Sequence, residues 1–213
     1  MAITNKLSTP AIDECQRVLN NTGSNVVWEI LRQSDEFVQW DHFPKGDVFD
    51  ETSHCQYYYH AHDPEEANRL EEHGHFHCFI RQEGIPAHIQ PIAVPDNQGD
   101  PDKPEETCHL IAISMSNTGE PLRLFTVNRW VTKESWYKAE DVIQCLDLFM
   151  IDHAYPSWPT NIWLTEMVKL HKEKIAELVR ERDRTLIAWQ AAHPDRDAYD
   201  DETLEILSIK EIA

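Results

Sequence analysis

The sequence predicts an α+β fold: a small antiparallel sheet of about four strands that carries a histidine cluster and is packed with N-terminal and C-terminal helices. Three observations predict it. Between residues 54 and 130 lie period-two runs, the last two joined by Ser116-Asn117-Thr118-Gly119, a hairpin signal. Residues 8–35 and 139–213, on either side, repeat apolar residues at helical spacing behind capping signals. The third is the stretch 54–77, HCQYYYHAHDPEEANRLEEHGHFH, which holds six of the twelve histidines, set as H-x-H at 60/62 and H-x-H-x-H at 73/75/77. A strand sends alternate side chains to one face, so either spacing delivers its imidazoles to a common surface.

The elements follow in order. Ser8-Thr9-Pro10 places a cap before a proline at the first helical position and starts a helix to about residue 20, with Ile12, Cys15, Val18 and Leu19 on one side. Asn21-Thr22-Gly23 stops it, and a second helix from about Ser24 carries Val27, Ile30 and Leu31. Residues 40–50, with Pro44 and Gly46, read as a loop entering the sheet, and His42 as an exposed loop histidine. Residues 55–62 form the first strong strand, with Gln56, Tyr58, His60 and His62 on one face and Cys55, Tyr57, Tyr59 and Ala61 on the other. Asp63-Pro64-Glu65-Glu66 signals a helix to about residue 72, and 75–81 form a second strand with His75, His77 and Phe79 on one face. Residues 82–107 contain Gly84 and five prolines and read as a long loop, either a lid or a disordered excursion. The strands 108–115 and 122–128 make the hairpin, with His109 on the face of Ile111 and Ile113. Residues 139–150 form an amphipathic helix. Residues 160–192 form one long helix or two consecutive ones, and the tail from Asp200 shows short helical spacing.

At 213 residues, one domain spanning 1–213 is expected. Nineteen Lys and Arg against 38 Asp and Glu give a net charge of −19, which opposes phosphate backbones and anionic membranes and excludes nucleic acid as the main partner. Within 45–120, four cationic residues face fifteen acids, a field that favours a cation. No apolar run approaches the roughly 20 residues that cross a bilayer. The start, MAITNKLSTP, lacks the apolar core of a signal peptide, so a cytoplasmic protein with no membrane partner is expected. Five cysteines, odd in number and without a C-x-x-C pair, argue against both a disulfide framework and a four-cysteine zinc site.

Neutral imidazole is a good ligand for zinc, copper, iron and nickel, whereas packed imidazoles without a cation repel when protonated and leave nitrogens unpaired when buried. His60, His62, His75 and His77 are therefore candidate ligands of one divalent metal ion, with His73 and His109 as further ligands or as partners behind them. The alternative is that these rings hydrogen-bond in a polar sheet surface. Adjacent strand residues point to opposite faces, which sends Cys55, Cys78 and Cys108 into the layer behind the histidines. The donors are then imidazole and carboxylate without thiolate, a set that suits iron, copper or catalytic zinc. Glu66 and Tyr58 are the nearest oxygen donors and the acid/base candidates. Arg129, at the end of the fourth strand, is the candidate anchor for a substrate carboxylate, against a structural reading in which it pairs with Glu134.

The combination of QYYYHAH, HGHFHCF, HLIAISM and LFTVNRWVT followed by SWY, with PSW and the long terminal helix, resembles an uncharacterised bacterial family catalogued as a domain of unknown function. The resemblance spans about residues 10–210 and implies that the histidine stretch and the NRWVT stretch share one domain; it implies no activity. Three functions stay open: a metal-dependent enzyme acting on a small polar substrate, oxidising with oxygen if the ion is iron or copper and hydrolysing if it is zinc; a metal buffer or delivery protein; and a binding module for an organic ligand. The long C-terminal helix offers a homodimer contact.

Overall fold

The computed structural model describes residues 8–32, 41–61, 72–94 and 107–212. Helix α1, Pro10–Asn20, starts at its signal, with the Thr9 side chain accepting the Ile12 amide. Helix α2, Val26–Leu31, is capped by the Asn25 side chain, which accepts the Val27 and Trp28 amides. The strands β1 (His42–Phe49), β2 (Cys55–Ala61), β3 (Gly74–Arg81), β4 (Thr107–Met115), β5 (Pro121–Val127) and β6 (Ile206–Glu211) form one antiparallel sheet in sequence order. Helix α3, Arg129–Thr132, follows β5, and α4 (Ala139–Cys145), α5 (Trp158–Leu170) and α6 (Lys172–Ala192) precede β6.

Six strands replace the four expected. Residues 42–49, read from Pro44 and Gly46 as a loop, are strand β1; both residues are tolerated because β1 is an edge strand and its pairing slips between Phe43 and Val48. Residues 206–211, read as helical, pair along β5. Short helical spacing is a local preference, and the open edge of β5 overrides it. Residues 160–192 resolve into two helices broken at His171. Residues 63–71 of the helix expected to about residue 72, and residues 95–106 of the 82–107 loop, lie outside the described residues; Gln82–Gly84 form a short 3-10 turn. Among the described residues no helix is long and apolar enough to cross a membrane.

Cross-strand pairs sort the side chains into two faces. Tyr57 lies opposite Cys78, which lies opposite Ile111; Tyr59, Phe76 and Ile113 form the next row. This face joins Ile12, Leu19, Ile30, Val142, Trp163 and Val168 from the helices in the main core. Each fully buried side chain of this size contributes about 1.5–3 kcal/mol. Helix α6 packs over the far end of the same face, where Ser208 Oγ donates to the Leu178 carbonyl at 2.9 Å. Its Arg182 is buried, donating to the Tyr137 carbonyl at 2.6 Å with its guanidinium 4.1 Å from the Trp136 ring centre.

Gly74 permits the close approach of β3 to β2. A Cβ there would collide with the His60 carbonyl and come within 2.7 Å of the Tyr59 hydroxyl. Backbone must then move, so Gly74→Ala is expected to destabilise the protein by about 1–3 kcal/mol. Chemical denaturation reads this directly, and an unchanged midpoint would show that the strands do not approach so closely.

All five cysteines are free and buried. Cys55 and Cys78 point into the core face as their parity requires, and burial pushes the thiols of Cys55, Cys78 and Cys108 up. Near pH 8 it is the thiolate that attacks a disulfide reagent, so the native protein is expected to react far more slowly than the unfolded chain. Rapid native labelling of Cys55, Cys78 or Cys108 would contradict that placement.

Candidate metal centre

The opposite face of the sheet is a grid of polar and aromatic side chains. Pairing sets His42, His60, His75 and Ser114 in one row, Tyr58, His77 and Ala112 in the next, and Gln56, Phe79 and His109 in the third. His109 reaches this face through a bulge. Cys78 pairs with Ile111 but Phe79 pairs with His109, which leaves Leu110 as the extra residue. The simple parity that put His109 with Ile111 and Ile113 is therefore corrected: one inserted residue reverses the facing of everything beyond it.

His60, His75 and His77 bring their ligand atoms within 4.8 Å of one another and could hold a metal ion. Two of these rings have a partner on Nδ1, and the partner of His75 fixes its tautomer. His75 Nδ1 lies 2.9 Å from Glu72 Oε1; a carboxylate only accepts, so Nδ1 carries the proton and Nε2 the lone pair. Glu72 is itself held, its other oxygen accepting Ser114 Oγ at 2.7 Å. His77 Nδ1 lies 3.1 Å from His109 Nε2, so one of these two nitrogens donates to the other. Donation by His77 Nδ1 leaves the lone pair on His77 Nε2. That nitrogen is fully buried and has no hydrogen-bond partner among the described residues. An unsatisfied buried polar atom costs about 1–3 kcal/mol, and a coordinated cation removes that cost.

Burial favours the neutral form of His77 and His109, and neutral imidazole is the form that ligates. Burial pushes His77 well below the ordinary imidazole range, and the neighbouring His75 and His109 add to it. Burial, then Arg182, brings His109 down to about 3. Behind His109 stands Glu134, which accepts the His109 backbone amide and Thr132 Oγ1; burial raises its carboxyl to about 7 against the opposing pull of Arg182. Glu134 thus anchors the bulge that aims His109 at His77.

The other sequence candidates fall as follows. His62 and Glu66 lie outside the described residues. His73 turns away from the group, its Nδ1 2.8 Å from the Tyr59 hydroxyl. Tyr58 stands beside the group, buried, with its ring centre 4.9 Å from His77 and stacked 3.6 Å from His42. Arg129 opens α3 and pairs with Asp200 at 3.3 Å rather than with Glu134, while Asn128 caps α3 and donates to the Ala198 carbonyl at 2.8 Å. These two residues tie the segment ahead of β6 to the end of β5. Sequence reasoning missed Glu72, Glu134 and the pairing of His42 with Asp47. Of these only Glu72 carried a signal, an acid directly before H-x-H-x-H.

No curated protein and no solved structure matches the chain significantly. A family model does, over residues 8–212, a span that takes in the whole sheet, the three histidines and the helical parts on both sides; the chain belongs to the family DUF6969, a domain of unknown function.

Proposed function

We propose that the protein is a metal-dependent enzyme whose centre, built on His60, His75 and His77, acts on a small polar substrate. The observation that carries this reading is the pair of held rings: Glu72 and His109 each bond the Nδ1 of a candidate ligand imidazole, the arrangement that orients histidine toward a metal. Nitrogen donors without thiolate suit iron, copper or zinc, and three protein ligands leave a position for substrate. Bound there, iron or copper supplies oxygen-dependent oxidation and zinc supplies hydrolysis. Tyr58, fixed against His42 and His77, is the acid/base group of the described face. His62 and Glu66 stay in the proposal as a further ligand and a further acid/base group. The −19 charge leaves nucleic acid no part in it, and α6, whose Ile187 is 71% exposed, is the proposed homodimer contact.

The acidic chain also favours a second reading, a metal buffer or delivery protein. Cobalt(II) reconstitution separates the two. The enzyme reading expects ligand-field bands of a nitrogen-ligated ion, no thiolate charge-transfer band, and a shift of those bands on adding azide. A spectrum indifferent to azide marks a closed ligand set and favours the buffer.

A further inference from the structure

We propose that His42 is the hydrogen-bond acceptor that positions a ligand bearing an O–H or N–H group at the three-histidine centre, with Asp47 holding its ring in acceptor form. This rests on the metal reading above and names the ligand chemistry of the same site. His42 stands opposite His60 in the row that continues to His75, with 6.4 Å between the His42 and His60 ring centres. Its ring lies flat on Tyr58, tilted only 7°. Its side chain is 47% exposed, so it occupies the rim of the site, open to an incoming molecule.

The ring's hydrogen-bonding character is fixed by a chain of four residues. His42 Nδ1 lies 3.0 Å from Asp47 Oδ1, and because the carboxylate only accepts, Nδ1 carries the proton and Nε2 of the neutral ring is an acceptor. Asp47 Oδ2 accepts Gln56 Nε2 at 2.7 Å, and Gln56 Oε1 accepts Arg81 Nε at 2.7 Å. Gln56 is only 2% exposed, so a buried amide and an arginine together set the orientation of one carboxylate. The backbone contributes as well. Gly46 and Asp47 have φ of 85° and 60° in the irregular part of β1, a left-handed conformation that is costly for a non-glycine residue and that brings the Asp47 carboxylate back to His42. Bulges of this kind commonly re-aim a side chain beside a functional site.

An acceptor at the rim favours ligands that can donate, such as alcohols, hydroxamates and amides, over those that only accept. The test uses the full chain loaded with zinc and two probes titrated by calorimetry: acetohydroxamate, which keeps an N–H donor when it chelates, and azide, which has none. His42→Phe preserves the flat ring on Tyr58 and removes the acceptor. It is expected to weaken acetohydroxamate about tenfold, the worth of one hydrogen bond, with azide affinity and zinc content unchanged. Asp47→Asn gives a sharper result. Gln56 Nε2 must still donate, so the new carbonyl faces Gln56 and the new amide group faces His42 Nδ1, which moves the ring proton to Nε2. The preference for acetohydroxamate over azide should then fall, and the ratio of the two affinities cancels the change in net charge. Wild-type discrimination by the zinc-loaded His42→Phe protein, or equal weakening of both probes, overturns the assignment and leaves the metal reading standing. A wild-type chain that takes up none of zinc, iron and copper overturns both.

Discussion

Replacing His60 and His77 together by alanine is expected to abolish stoichiometric metal binding and leave a folded protein. The two rings belong to β2 and β3 and to adjacent rows of the grid, and with His75 they make up the group whose ligand atoms lie within 4.8 Å. Removing both leaves His75 as the one imidazole of that group, and a single imidazole binds a divalent ion weakly in competition with buffer. The fold should survive because the core lies on the opposite face, and because the deletion also removes the unsatisfied His77 nitrogen. Mass spectrometry of the metal content, beside circular dichroism of the same samples, reads both parts. Metal content equal to wild type would show that these histidines are not the ligands.

The second large effect concerns Glu72. Glu72→Gln is expected to lower metal affinity about 10–100-fold, the usual consequence of losing the carboxylate behind a ligand histidine. The new amide can turn its NH2 toward His75 Nδ1, which shifts the ring proton to Nε2, the atom that would meet the ion. Ser114→Ala removes only the bond that steadies Glu72 and should have a smaller effect in the same direction. Competition with a chelator measures both. Wild-type affinity in Glu72→Gln would mean that the His75–Glu72 pair is a structural bond without influence on a metal.

The two kinds of information that built this site differ in range. His60, His75 and His77 were legible because period two within one strand is a local rule, and the burial of Cys55 and Cys78 followed from that rule. The helix starts were legible in Thr9 and Pro10, and the hairpin in Ser116 to Gly119. What stayed hidden depends on partners distant in sequence. Strand β1 exists because β2 offers an edge to residues that look like a loop, so the sequence shows His42 as an exposed loop histidine, whereas it is exposed on a strand in line with His60. The facing of His109 depends on a bulge at Leu110 and on Glu134, whose short link to it no periodicity announces. The anchor role read for Arg129 rests on the affinity of a guanidinium for planar anions. The chain instead uses it to hold Asp200, a contact across 71 positions of sequence.

Elemental analysis of the wild-type chain, purified without an affinity tag, tests the central claim most directly. The account predicts one equivalent of iron, copper or zinc per chain, lost in the His60→Ala/His77→Ala protein. A wild-type protein that carries none of these metals, and takes none up when incubated with each of them, would contradict it.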